Sequence, residues 1–352
     1  MSRSPFRPSA RLVLAAMAAL LVACSGDDLV TPVVPVTKTI AVDASAAYAY
    51  LAFQDTTATL VSVTNPTTST AWDIGMFATT VTLNGGAAGP GGVEAYCLCQ
   101  NAAATTADLQ AFTADNQLPY FDSVGIGDVP VTAAWVTDQL APVINGWYTG
   151  SGASAAVATG KSWITREGSG TVLLGKLQVT GLSGQTTAKA GQVTFQFAVQ
   201  PTAGAAFSAT QTATVNTATG VVYFDLTSGA VTDASNWDLA FDGWTIRVNG
   251  GVSGSGTVRA VLDGSTPFAN IDAAYAATAP AQAFRADSYS GVFSQNPWYR
   301  YNITGSDNQI WPVFNVYLLR RGATVYKVQL TGYYSATGVP RNITVRYAKL
   351  AG

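Results

Sequence analysis

The chain contains no histidine in 352 residues. That absence excludes Ser-His-Asp and Cys-His catalysis, histidine-ligated zinc and histidine pH switching. Cysteine and methionine are scarce too, at three residues each, and only 11% of residues are charged. The apolar run Leu12–Ala23 is twelve residues long, too short to span a bilayer as a helix. Low charge does not mean disorder here, because 11% of residues are aromatic and can fill a core.

What is present begins with an export signal. Arg3, Arg7 and Arg11 precede the apolar run, as in a signal peptide over 1–23. The run ends in Leu21-Val22-Ala23-Cys24, which resembles a bacterial lipobox, with Cys24 as the residue to be lipidated. A polar, proline-restrained tether follows over 24–37. Beyond the signal, fifteen basic residues face twenty acidic ones, a net charge of −5. A nucleic-acid partner is therefore excluded, since it needs a basic footprint.

The phrase AWDIGMFATTVTLNGG (71–86) returns as NWDLAFDGWTIRVNGG (236–251). Trp72 to Cys99 aligns without gaps on Trp237 to Gly264 at an offset of 165. Trp147-Tyr148 answers Trp298-Tyr299, and LGKLQVTGL (174–182) answers VYKVQLTGY (325–333), both at an offset of 151. Ordered matches with length changes confined to loops indicate a tandem duplication, with copies at 38–205 and 206–352. Apolar alternation with period two, as in Val172–Thr180 and QVTFQFAVQ (192–200), makes both copies strand-rich. The expected fold class is all-β: two tandem, similar, mostly antiparallel domains with short connecting helices. The helical signals are Thr132–Leu140 and the alanine-rich stretches 102–111 and 272–283.

Trp72 and Trp237 have two readings: wide apolar faces that line a ligand surface, or strand anchors in the core, with Asp73 and Asp238 bonding backbone at the strand entry. A catalytic carboxylate pair would have to converge on one bond, and one aspartate in each copy gives no reason for that. Cys97 and Cys99 are open to four readings: local structure or chance with no chemical role, a bridge at a bulge, an intermolecular bond, or half of a soft-metal site that nothing completes. The candidate ligand site lies in WYRYNITGSDNQIWPVFNVYLLRR (298–321), where Trp298, Tyr299, Arg300, Tyr301, Trp311 and Arg320 combine flat aromatic faces with carboxylate-clamping guanidiniums.

WD[IL]x[FM] with its NGG turn, then WYxYN, then KxQ[VL]TG[YL], resembles the HmuY-like family, haem-binding surface lipoproteins of Gram-negative bacteria. The resemblance implies a mostly β fold, outer-membrane or cell-surface anchoring through the lipid, and delivery of haem to an outer-membrane transporter. It also implies two axial histidines, one often in the loop after WYxYN, or methionine ligands as in some relatives. Here that loop is Ile303–Gln309 and holds neither imidazole nor thioether, and Met76 alone of the methionines lies beyond the signal. Haem could then be ligated only by a tyrosinate such as Tyr301 or by a cysteine thiolate. The chain reads as a non-catalytic lipoprotein for haem or another planar hydrophobic ligand. The alternative is a structural or interaction lipoprotein that binds a surface protein or a glycan.

Overall fold

The computed structural model describes residues 35–131 and 134–350. Cys24, the signal segment and most of the tether lie outside the described residues. The architecture is all-β, with antiparallel strands and a few short helices. Among the described residues no helix is long and apolar enough to cross a membrane.

Two five-stranded antiparallel sheets organise the chain. One sheet runs, in spatial order, Lys38–Asp43, Pro340–Lys349, Thr324–Tyr334, Val316–Arg321 and Val93–Cys97. The other runs Gln211–Asn216, Gln192–Val199, Leu173–Ser183, Ser162–Glu167 and Arg259–Asp263. Neither sheet follows the repeat boundary. Val93–Cys97 of the first copy pairs with Val316–Arg321 of the second, and Arg259–Asp263 of the second pairs with Ser162–Glu167 of the first. The halves of the two copies are exchanged. An inner unit is continuous in sequence, and an outer unit is assembled from the two ends of the chain around it.

The exchange occurs where two connections run past each other. Gln139–Ala141 pairs with Ser288–Ser290, Leu140 facing Tyr289. On either side of this ribbon the bridges repeat: Gly86 with Asp138 answers Gly251 with Asp287, and Ala95 with Val136 answers Ala260 with Arg285. Exchange of equivalent halves keeps every contact within a unit, so domain swapping costs little. The pairing of the two connections is gained in addition. The helix expected over Thr132–Leu140 is therefore not formed: its described part is extended, and Val136 and Ala95 exchange backbone bonds of 2.9 Å. Tertiary pairing outweighs the weak local preference. The alanine-rich stretches do form helices, Thr106–Ala111 and Ala273–Thr278, each opened by a capping side chain, Thr105 and Asp272.

Strand alternation places the core. In Gln192–Val199 the side chains of Val193, Phe195 and Phe197 are buried while Gln192 is exposed. The inner core gathers Trp147, Trp163, Phe195, Phe197, Phe224 and Phe241. The outer core joins Phe53, Ile74 and Leu83 from the first copy to Trp298, Tyr317 and Val345 from the second. Each such buried side chain contributes about 1.5–3 kcal/mol, so both copies are tied into both folding units.

Candidate ligand-binding site

The repeated phrase proves to be a folding element. Trp72 and Trp237 are buried. Asp73 Oδ2 accepts the Phe53 N–H at 2.6 Å, and Asp238 Oδ2 accepts the Leu226 N–H at 2.8 Å. Asn84 donates to the carbonyls of Trp72 (2.7 Å) and Ser69 (2.9 Å) and accepts from Gly91 N–H. Asn249 repeats the pattern with the Trp237 carbonyl and Gly256 N–H. A Cβ on Gly85 would lie 2.0 Å from the Val93 carbonyl oxygen, and on Gly250 2.2 Å from that of Val258, so the NGG turn requires its first glycine.

The KxQ motif is equally structural. Lys327 is fully buried, and its ammonium donates to the carbonyls of Phe121 (2.7 Å), Val124 (2.8 Å) and Asp122 (3.3 Å), closing the C-terminal end of the helix Leu118–Ser123. Burial lowers its pKa. Gln329 donates to the Phe314 carbonyl at 2.6 Å and accepts from Arg346 at 2.8 Å. In the inner unit Lys176 donates to the Phe268 carbonyl at 2.9 Å, 4.2 Å from that ring's centroid.

The WYRYN segment forms a hairpin, Tyr299–Tyr301 against Ile310–Pro312, in which Arg300 stands opposite Trp311. Trp298 is its root, buried, with Nε1 donating to the Thr79 carbonyl at 2.9 Å. Tyr301 is 57% exposed, and its hydroxyl donates to Asn308 Oδ1 at 2.8 Å. Trp311 Nε1 donates to Asp307 Oδ2 at 3.0 Å. Arg300 reaches across to the first copy, where the carbonyls of Ala104 (2.6 Å) and Ala102 (3.0 Å) accept from its guanidinium. Tyr299 and Arg300 line a cavity of about 210 Å³ with Cys99, Ala102, Asn296 and Asn315. Its walls thus come from both copies.

Arg320 does not join this group. It pairs with Glu94 and lies over the Trp135 ring at 4.3 Å. Cys99, Ala102 and Asn315 were not anticipated as wall residues. Cys99 and Ala102 meet the hairpin only through the exchange, Ala102 lying 198 residues from Arg300, and carry no local signal, whereas Asn315 follows the hairpin directly in sequence. Cys97 and Cys99 form a disulfide. A second cleft of about 200 Å³ collects Tyr48, Tyr50, Trp72 and Tyr289. Burial pushes Tyr48 up to about 12, so it stays a neutral phenol there.

The inner counterpart of the hairpin is covered. Trp244 lies 4.6 Å from Tyr148 and 6.2 Å from Trp147, centroid to centroid. The outer unit has Thr79 at the matching position, which leaves its hairpin uncapped by an indole.

A model of the HmuY protein family matches residues 45–197 and 217–347. The chain belongs to the HmuY family. Both matches fall within the two sequence copies, and HmuY proteins form a binding-protein family. The chain is also similar to two solved structures. One, from Bacteroides vulgatus ATCC 8482, is described as a candidate HmuY-like heme binding protein; identity is 15% over 37% of this chain and 87% of that one, with a TM-score of 0.16. The other, from Bacteroides fragilis NCTC 9343, is described as a candidate lipoprotein; identity is 18% over 44% of this chain and 88% of that one, with a TM-score of 0.17. No curated protein matches the chain.

The side chains present do not fit ligation of haem by histidine, by a methionine pair or by a thiolate. The chain has no histidine. Met76 is fully buried in the outer core, and both described cysteines are oxidised to a disulfide. The Tyr301 hydroxyl is engaged by Asn308. Among the described residues no group of three His, Cys, Asp or Glu could hold a metal.

Proposed function

We propose that this chain is an exported, lipid-anchored, non-catalytic binding protein of the cell surface. Its ligand is a planar hydrophobic molecule, taken at the outer-unit hairpin without axial ligation by the protein. The observation that carries this reading is the contrast between the two hairpins: Trp244 covers Tyr148 in the inner unit, while in the outer one Thr79 stands in place of that indole and the matching Tyr299 lines a cavity together with Arg300. Aromatic faces give a flat ligand apolar area, and a guanidinium on the same hairpin holds an acidic substituent. Anchoring through Cys24 at the outer membrane, and hand-over to an outer-membrane transporter or another surface protein, complete the reading.

The test is a titration of the mature chain from Ser25 onward with haemin and, separately, with iron-free protoporphyrin. Both should saturate, with dissociation constants within about threefold, because that spread is below ~1 kcal/mol and iron contributes nothing. Binding of haemin alone, with the bands of a ligated iron, would overturn the reading. The small volume of the cavity, below the ~300 Å³ at which small-molecule sites usually begin, favours one alternative: a surface lipoprotein that presents the hairpin to a protein or glycan partner. Failure of both porphyrins to bind would select it.

A further inference from the structure

Arg166 on the strand Ser162–Glu167 stands directly opposite Arg259 on the strand Arg259–Asp263. The outer unit fills the same two places with Arg320 and Glu94, which form an ion pair. Where the outer unit sets a carboxylate against a guanidinium, the inner unit sets two guanidiniums. Like charges directly opposite on a sheet repel. Among the described residues neither Arg166 nor Arg259 has a carboxylate within salt-bridge distance.

Both arginines line a cavity of about 410 Å³. The remaining wall is small and uncharged, with Gly250, Gly251 and Thr257 among its residues. The Thr257 hydroxyl accepts the Gly168 N–H at 2.9 Å and fixes the rim. The Arg166 guanidinium is braced 5.9 Å from the centroid of the buried Phe284 ring. Glu167 is adjacent in sequence, but successive strand residues point to opposite faces, and its charge acts on Asp238 instead. The two positive charges in the cavity are left for a partner brought from solution.

We infer that this cavity is a second ligand site, for the oxyanionic head of a small molecule: a phosphate, a sulfate or a carboxylate cluster. Guanidinium forks match such oxygens through paired N–H donors. The cavity volume lies within the ~300–1,000 Å³ of small-molecule sites. The site belongs to the inner unit and does not depend on the outer hairpin.

The test is calorimetric titration of the mature chain with inorganic phosphate, sulfate and citrate at one ionic strength. At least one should bind saturably. Arg259→Glu recreates the ion pair of the outer unit, so it should keep or raise the melting temperature while weakening binding by at least about tenfold. Arg259→Gln, a smaller change, should weaken it in the same direction. Phosphate or sulfate alone would assign a tetrahedral oxyanion, and citrate alone a carboxylate cluster. Absence of saturable binding for all three, or unchanged affinity in both Arg259 variants, would overturn the proposal.

Discussion

Arg321 donates to Asp73 Oδ1 at 2.8 Å. The strand registers put Glu167 in the place of Arg321 in the inner unit, so Asp238, the counterpart of Asp73, has a like charge for a neighbour. Two copies of one motif thus carry opposite electrostatics.

The difference should appear as a pH dependence of stability. Burial first, and then Glu167, push the Asp238 carboxyl up to about 7, and burial pushes Asp138 up to about 6. Unfolded aspartate titrates near 4. Between those values the folded chain holds protons that the unfolded chain has lost, so stability falls as pH rises from 4 through 7. The protein should be more stable at pH 5 than at pH 8 by on the order of 2 kcal/mol. Denaturant midpoints would show this. Asp238→Asn, which keeps an acceptor for Leu226 N–H, should flatten the slope; an unchanged slope would refute the assignment.

Lys327→Met should be among the more damaging single changes outside the aromatic core. It leaves three carbonyls without their shared donor, at a cost of about 3 kcal/mol. Lys176→Met abandons one carbonyl and should cost about half as much. Urea unfolding of both variants measures the difference, and equal losses would contradict the capping role of Lys327.

Asn84→Ala should destabilise by about 2–3 kcal/mol, because two carbonyls and the Gly91 N–H lose their partner at once. Haemin or porphyrin binding should be unaffected once the variant is folded. A selective loss of binding, at unchanged stability, would return the repeated phrase to the ligand site.

Replacement of Tyr301 and Arg300 by alanine should weaken ligand binding by about tenfold or more, through lost stacking area and a lost guanidinium. Replacement of Tyr148 and Thr149, the inner counterparts of Tyr299 and Arg300, should leave it within about twofold, because Trp244 already covers that hairpin. Equal effects of the two pairs would remove the contrast on which the outer site rests.

The fold class was legible because strand alternation and turn glycines are local signals. The duplication was legible because Trp, Asp and Asn keep their spacing where the turn geometry demands it. The partnering of halves was not. Val93–Cys97 could meet Ser162–Glu167 or Val316–Arg321 with equivalent chemistry, and only the passage of the connections at Leu140 and Tyr289 separates the two arrangements. The same gap explains the site. Trp298, Tyr299, Arg300, Tyr301 and Trp311 do share one hairpin, whereas Arg320, close in sequence, belongs to a strand beside Glu94. Cys99 and Ala102 became visible as neighbours of the hairpin only once the ends of the chain were joined.

That joining is the central claim, and paired cysteines test it directly. Glu94 stands opposite Arg320 in the outer unit, whereas folding of each copy by itself would set it opposite Arg166. The double variant Glu94→Cys/Arg320→Cys should form an intrachain disulfide under mild oxidation, identified by peptide mass mapping, while Glu94→Cys/Arg166→Cys should not. A bond in the second variant and none in the first would show that each copy folds on its own.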